Sequence, residues 1–405
     1  MTQFTFISKA ALLCAVLHAT FHATSAAAIS DEQARRIHDR LTGVAPSAAV
    51  LSTMQGQNFI DAANTAMANP AFYNAKLKNW ATPWTNRDDD AFAPLNDFTA
   101  TVIGLINDGA DFREVLYGDV IYVGAGVSGL PAYSVSNNNH YQFLEQNNID
   151  LGGPASKLVR TTQSSTTGLA AGATAGVMTS RGASRAFFID GTNRAMFRFM
   201  LKNMLCHDLE EVHDTSRPAD RIRQDITRSP GNDSRIFLNS CVGCHSGMDP
   251  MAQAFAHYDY EYKISGGGDV EAGRLVYDAT QVHPKYFHDE QNFKPGFRTP
   301  NDSWTNNWRL GPNAAVFGWS GAAGADGLVH GTGAKSMGQE LANSDAFAVC
   351  QVEKVFKAVC LRDPANSDHA ANANGVGFDG MLNNFKAGGN LKNTFAEAAA
   401  YCADN

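Results

Sequence analysis

Apolar residues recur at helical spacing along most of the chain. Ser30 opens the first such segment with Gln33 three residues later, which forms a capping box, and Gly43 is placed to end the helix. The same spacing predicts further helices over residues 47–69, 95–108, 111–119, 192–209, 344–362 and 391–401. These patterns predict a mainly α-helical protein.

Two long stretches interrupt the helical pattern. Residues 134–184 are rich in Asn, Ser, Thr and Gly, and we expect them to be irregular with short helical pieces near residues 170–178. Residues 263–335 carry few periodic signals. We therefore expect long loop insertions, which a large cofactor and disulfides could help to order.

The first 28 residues have the pattern of a cleaved secretion signal. Lys9 is the only charge before a short apolar run, and small residues at positions 25–28 offer a cleavage site. The run is too short for a membrane span, and no later stretch is apolar enough for one. We expect a periplasmic or secreted protein, divided into a mostly helical N-terminal region (29–190) and a second, cofactor-binding region (191–405).

The charge balance narrows the choice of partners. The 32 Lys and Arg against 40 Asp and Glu give a net charge of −8 at pH 7. Binding to the phosphate backbone of a nucleic acid depends on an excess of positive charge. We therefore expect no nucleic-acid partner.

Six cysteines remain once the signal is removed: Cys206, Cys241, Cys244, Cys350, Cys360 and Cys402. A helix over residues 344–362 would hold Cys350 and Cys360 roughly 15 Å apart, and a disulfide needs Cα atoms within about 7 Å. If Cys241 and Cys244 hold a cofactor, four cysteines remain. Cys206 is then expected to pair with Cys350 or Cys360 and Cys402 with the other, unless the four are free buried thiols.

The sequence CVGCH, residues 241–245, is the attachment motif of a c-type haem. Cys241 and Cys244 would form thioethers to the haem vinyl groups, and His245 would bind the iron as the proximal ligand. The residue frequencies give roughly 0.004 chance matches to such a motif in a chain of this length. We predict one covalently attached haem c.

Zinc and thiol redox chemistry also use C-x-x-C. A zinc site would need a second Cys or His pair at finger-like spacing, and none follows residues 241–245. A thioredoxin-like site would need a βαβ context, which the flanking sequence does not show. The export signal agrees with haem, because haem c is attached outside the cytoplasm.

The segment around this motif resembles a family of predicted planctomycete-type cytochrome c proteins. In that family C-x-x-C-H is followed by Asp-Pro and then by an apolar stretch ending in an aromatic residue and Asp. The matching residues here are Asp249, Pro250, Phe255, Tyr258 and Asp259.

The resemblance extends patchily over residues 95–362, with Cys206 and Cys350 at matching positions. This chain departs from the family at the insertions 134–184 and 263–335. The resemblance implies a haem-c redox protein with a cytochrome-c-like haem region, and it implies no particular substrate.

The second axial position of the iron has several candidate ligands. Small c-type cytochromes place a methionine shortly before the C-terminal helix, and Met337 follows that order here. His330 is the next candidate, with His283, His288 and Met381 behind it. Met248 and Met251 lie too close to His245 in sequence to reach the opposite face of the ring.

The identity of the second axial iron ligand decides between two possible functions. A methionine or histidine there favours electron transfer to an unknown redox partner protein, because a saturated iron exchanges electrons without binding substrate. An open position would favour a peroxidase- or oxidase-like enzyme, for which Trp304, Trp308 or Trp319 could carry a radical. Apolar filling around the haem is the favoured explanation of these tryptophans. A haem-bearing subunit of a larger redox assembly is the third hypothesis.

A Gly-x-Gly-x-x-Gly sequence, Gly124 to Gly129, follows a predicted strand. A dinucleotide site needs a helix directly after these glycines, and Pro131 with its Ser and Asn neighbours is poor material for one. We therefore expect a glycine-rich loop and no flavin or NAD.

Overall fold

The structure is a computed structural model that describes residues 29–188, 193–262, 273–283 and 296–404. The predicted signal peptide and His288 lie outside these ranges. The α-helices are α1 (Asp31–Thr42), α2 (Ala48–Gln55), α3 (Phe59–Met67), α4 (Lys78–Ala81), α5 (Asp97–Asn107), α6 (Glu114–Tyr117), α7 (Asn139–Gln146), α8 (Gln163–Thr167), α9 (Arg181–Phe187), α10 (Asn193–Leu205), α11 (Ser234–Ile236), α12 (Val242–Ala252), α13 (Asn313–Phe317), α14 (Gly333–Ala342), α15 (Asp345–Cys360), α16 (Phe378–Gly388) and α17 (Leu391–Tyr401).

Shorter turns extend several of these helices. The π-helical turns are Phe72–Leu77 and Phe237–Cys241. The 3₁₀ turns are Thr82–Thr85, Gly176–Thr179, Pro230–Asn232, Gln253–Phe255, Asn307–Arg309 and Asn366–Asp368. Helical residues make up about 52% of the structure, which confirms the prediction of a mainly α protein.

The strands form three separate antiparallel pairs among the described residues. They are β1 (Ile121–Gly124) with β2 (Leu158–Thr161), β3 (Tyr258–Tyr262) with β4 (Gly273–Tyr277), and β5 (Ser303–Asn306) with β6 (Val329–Thr332). Such small pairs cannot bury a core of their own. The hydrophobic core is therefore built mainly by the helices.

Local signals define the helix ends as predicted. The Ser30 side chain accepts a hydrogen bond from the Gln33 backbone N–H, and the Gln33 side chain bonds back to Ser30, completing the capping box. Gly43 ends α1 with φ 73°, in the left-handed region that glycine occupies without strain. At the start of α15, the Ser344 side chain accepts a hydrogen bond from the Phe347 backbone N–H.

The two ends of the described chain pack together. Helix α17 lies against α3 and α15, and α1 contacts both α3 and α17. Arg36 on α1 donates a hydrogen bond to the Ala403 carbonyl. The largest hydrophobic cluster runs from Ile29 to Ala403 and takes side chains from both sides of residue 190.

Two disulfides tie the helices. Cys206 pairs with Cys350, with Cα atoms 5.3 Å apart, and Cys360 pairs with Cys402, with Cα atoms 5.6 Å apart. Both separations fall within the usual range. The exclusion of a Cys350–Cys360 pair is confirmed, and the structure selects one of the two remaining arrangements.

Residues 134–184 are more regular than predicted. They contain α7, β2, α8 and the first residues of α9, together with one 3₁₀ turn near the predicted helical piece. Helix α7 buries His140, Tyr141 and Leu144. The prediction of irregular structure was wrong here because the flanking Asn-rich sequence concealed a short amphipathic helix.

The glycines after β1 form a loop. Strand β1 pairs with the antiparallel β2, and the next helix, α7, begins at Asn139, ten residues after Gly129. Gly126 and Gly129 have φ of 66° and 75°. This geometry differs from the parallel βαβ unit in which a helix N-terminus receives a pyrophosphate. Within the described part of the chain, no helix combines the length and apolar character that a membrane crossing needs.

Candidate haem-attachment site

The three residues of the haem motif lie on one side of one helix. Cys241 ends the π-helical turn before α12, and Cys244 and His245 belong to the first turns of α12. At 3.6 residues per turn, their side chains fall within about 100° of the helix circumference. This arrangement brings both thiols and the imidazole to a common face.

The opposite side of α12 is seated against aromatic rings. A Cβ atom added at Gly243 would lie 2.2 Å from the ring of His213, and one added at Gly247 would lie 2.1 Å from the indole of Trp308. A larger residue at either position would therefore require a shift of α12 or of the facing ring. The two glycines fix α12 against the protein and leave the Cys–His face turned from that contact.

Cys241 and Cys244 are the two cysteines of the described chain that form no disulfide, and both are half-buried. The Cys244 thiol donates a hydrogen bond to the Leu209 carbonyl, with an Sγ–O distance of 3.4 Å. Burial, with the nearby charge of Glu210, raises the pKa of Cys244. A thiol redox catalyst needs a lowered pKa instead, so this environment does not favour that chemistry.

His245 is held by a carboxylate one turn further along α12. Its Nδ1 lies 3.0 Å from Oδ1 of Asp249. An ionised carboxylate only accepts hydrogen bonds, so Nδ1 of His245 is the donor here, and the lone pair of a metal-binding imidazole in this orientation is on Nε2. Nε2 makes no hydrogen bond to a described residue, and it is therefore available to a metal.

The Asp249 carboxylate is itself buried and paired. Its side chain has 0% exposure, and Arg194 of α10 donates to both oxygens, over 2.7 Å and 2.9 Å. The Arg223 backbone N–H donates to the same carboxylate over 3.1 Å. Burial opposes ionisation, but the positive charge of Arg194 and the His245 hydrogen bond outweigh it and hold the pKa of Asp249 well below its usual range. Asp249 is therefore an anion at neutral pH.

A second carboxylate completes this ionic cluster. Asp225 accepts two 2.7 Å hydrogen bonds from Arg194 and one from the Arg223 side chain. Burial would raise the pKa of Asp225, but these arginines lower it to about 2. The guanidinium of Arg194 is thus shared between Asp225 and Asp249, which links the loop around residue 225 to α10 and α12.

Pro250 lies inside α12 and has no N–H to donate to the Ser246 carbonyl. The Asn307 side chain donates to that carbonyl instead, with a distance of 2.8 Å. The Ser246 hydroxyl donates in turn to the Asp214 backbone carbonyl. Asn307 therefore supplies the hydrogen bond that the Ser246 carbonyl lacks because of Pro250.

The surroundings of the motif are partly apolar. Ile222, Phe237 and Val242 form a small buried cluster, against which Cys241 packs. One turn before Cys241, Leu238 is 58% exposed. Two thiols outside any disulfide and an unpartnered imidazole nitrogen are the groups through which a c-type haem is attached, and Leu238 adds exposed apolar surface one turn away. No group of three or more His, Cys, Asp or Glu side chains in the described ranges is arranged to hold a bare metal ion.

Met337, the predicted distal ligand, lies on α14 with 0% exposure. Helix α14 packs mainly against α6, and a Cβ added at the neighbouring Gly338 would lie 2.0 Å from the Leu116 carbonyl oxygen. Contact between α14 and α12 is at most slight. The structure thus places Met337 in the helical core, and its role as an iron ligand stays a prediction.

The other candidate ligands have partners of their own. Both ring nitrogens of His330 are bonded, Nδ1 to Thr305 at 2.9 Å and Nε2 to Asp326 at 2.8 Å. His283 pairs with Asp259. Met381 is buried on α16. His330 would have to give up its contact with Asp326 to bind iron through Nε2.

The tryptophans are mostly packing elements. Trp308 stacks on Phe317, with ring centroids 5.2 Å apart, and supports the back of α12. Trp304 donates from its indole to Ser336, and Trp319 donates to the Trp308 carbonyl. These contacts give all three indole rings a structural role in packing.

The ionic cluster behind His245 was missed in the sequence. The four-residue spacing of His245 and Asp249 on a helix could have indicated their hydrogen bond. Arg194 and Asp225 gave no such signal, because they lie 55 and 24 residues before Asp249 in the chain.

Comparison with protein-family models, curated proteins and solved structures found no match.

Proposed function

We propose that this chain is an exported monohaem c-type cytochrome that transfers electrons. The observation that carries the proposal is the common face of α12 with two unpaired cysteines and a histidine whose Nε2 is free. The other four cysteines of the described residues form disulfides, which agrees with an oxidising compartment. The mainly α fold is compatible with a cytochrome-c-like haem region.

Each residue of the motif has a separate task in this proposal. Cys241 and Cys244 hold the haem through thioether bonds, and Nε2 of His245 binds its iron. The bound haem supplies a centre that gains or loses one electron. The seating of α12 through Gly243 and Gly247 fixes these groups relative to the protein before an electron partner approaches.

The proposal is tested with the full chain expressed together with a haem-c maturation system. We expect a c-type pyridine haemochrome spectrum with one haem per chain, and a mass increase of one haem that survives denaturation. Cys241→Ala and Cys244→Ala should each reduce covalent attachment. His213→Gln is the matched control, because His213 contacts the back of the same helix. Wild-type protein that folds and carries no haem would refute the proposal.

Spectra of the loaded protein separate electron transfer from enzyme chemistry. We expect a low-spin ferric spectrum that changes little on addition of cyanide. Met337→Leu should remove the sulfur-to-iron charge-transfer band if Met337 is the distal ligand, as predicted. A high-spin ferric spectrum with rapid cyanide binding would instead support the peroxidase- or oxidase-like alternative.

A further inference from the structure

The hydrogen bond between His245 and Asp249 is a built feature of the site. Both residues belong to α12, and the carboxylate is fully buried, with its oxygens fixed by Arg194 and by the Arg223 backbone. Arg194 is in turn held by Asp225 through two 2.7 Å contacts. A carboxylate fixed from three sides cannot swing away when His245 binds a ligand.

We propose that Asp249 is a positioning residue that orients His245 and lowers the reduction potential of the haem, an inference that rests on the proposed function. The acceptor fixes the ring orientation and keeps the proton on Nδ1, so Nε2 points its lone pair away from the carboxylate. The negative acceptor also makes the imidazole a more basic ligand.

The direction of the effect follows from charge. One electron, supplied by an electrode or by the partner protein, reduces the ferric to the ferrous state and removes one positive charge from the centre. A more basic ligand with an adjacent anion stabilises the more positive ferric state. Asp249 therefore favours the oxidised form and lowers the reduction potential.

Arg194 moderates this effect. It donates to both oxygens of Asp249 and so competes with His245 for the carboxylate. Asp225 draws the same guanidinium in the opposite direction. The strength of the hydrogen bond to His245 is thus set by residues that never touch the haem iron.

The test compares Asp249→Asn with the wild-type full chain by a mediated potentiometric titration. The amide keeps the shape of the carboxylate and removes its charge. We expect the ferric-to-ferrous equilibrium to shift about tenfold toward the ferrous state, which for one electron is a rise of about 59 mV. Asp249→Glu, which restores a carboxylate, should lie closer to the wild type than Asp249→Asn.

Asp233→Asn is the matched control for net charge. Asp233 pairs with Arg235 on the surface before α12, so its neutralisation should be screened by solvent and leave the potential nearly unchanged. If Asp249→Asn carries haem and its potential moves no further than that of Asp233→Asn, the positioning role is refuted while the cytochrome proposal stands.

A measurement on the wild type covers the case in which Asp249→Asn does not fold. In the haem-loaded protein, the Nδ1 proton of His245 should give an NMR signal that persists after transfer to D2O, because its acceptor is buried. Immediate loss of that signal would overturn the inference. Wild-type protein without haem would refute the proposed function and the inference together.

Discussion

The indole of Trp308 occupies the space in which a side chain at Gly247 would have to lie. A Cβ added to Gly247 would be 2.1 Å from the indole Nε1 and Cε2 atoms. Trp308 cannot move aside easily, because it is fully buried and packed between Phe197 and Phe317. This close approach brings the back of α12 against the core.

Gly247→Ala is expected to destabilise the protein. The added methyl group needs a shift of α12 or of Trp308, and overpacking of this kind costs about 1–3 kcal/mol. Urea unfolding measures the loss of unfolding free energy. Gly380→Ala is the control, because Gly380 also lies in a helix but has open space around its Cβ position. That variant should gain about 0.5–1 kcal/mol, and equal changes in both variants would contradict the role of the contact.

Asn307→Ala is expected to cost about 1–3 kcal/mol, because it leaves the buried Ser246 carbonyl without a donor. The expectation depends on Pro250, which has no N–H to offer that carbonyl. In a Pro250→Ala background, the alanine N–H can bond the Ser246 oxygen, so Asn307→Ala should cost less.

A double-mutant cycle by urea unfolding measures this dependence. Positive coupling between Pro250 and Asn307 would confirm that the side chain replaces the missing helical hydrogen bond. Equal costs of Asn307→Ala in both backgrounds would contradict it.

Much of this architecture could be predicted from short-range patterns. The capping box of Ser30 and Gln33 depends on residues three apart and was confirmed. The grouping of Cys241, Cys244 and His245 on one face follows from helical spacing. The sequence left open whether Cys206 pairs with Cys350 or with Cys360, because disulfide partners lie far apart in the chain. The packing of α10 on α15 selects Cys350.

Helix α7 and the ionic cluster around Arg194 could not be predicted, because they depend on contacts that leave no local signal in the sequence. Helix α7 was missed because Asn residues around it have low helix propensity, while burial of Tyr141 and Leu144 stabilises it. The guanidinium of Arg194 meets Asp225 and Asp249 only after three separate segments have folded together. Spacing along the chain does not predict such a cluster.

The two disulfides are expected to contribute unequally to stability. The Cys206–Cys350 bond closes a sequence separation of 144 residues, and the Cys360–Cys402 bond closes 42. The loss of denatured-state entropy predicts about 5 kcal/mol for the longer loop and about 4 kcal/mol for the shorter. Paired Cys→Ser substitutions, followed by urea unfolding, measure each contribution. Peptide mapping without reduction checks the pairing, and a peptide joining Cys206 to Cys360 would contradict the structure.

Burial of Lys354 on α15 predicts that the free energy of unfolding depends on pH. Its ammonium lies 4.0 Å from the ring centroid of Trp84 and donates to the Asn203 carbonyl. Burial lowers the pKa of Lys354 to about 7. Between that pH and its ordinary pKa of 10.5, the unfolded chain binds a proton that the folded protein does not, so the free energy of unfolding should rise with pH.

Urea unfolding between pH 7 and pH 9.5 measures this rise, below the range in which tyrosines ionise. Lys354→Met should remove most of it, since the methionine retains an apolar stem and carries no titrating group. Lys357→Met is the matched control, because Lys357 is exposed on the same helix and pairs with Asp363 at the surface. A wild-type slope that survives Lys354→Met unchanged would show that other groups cause it.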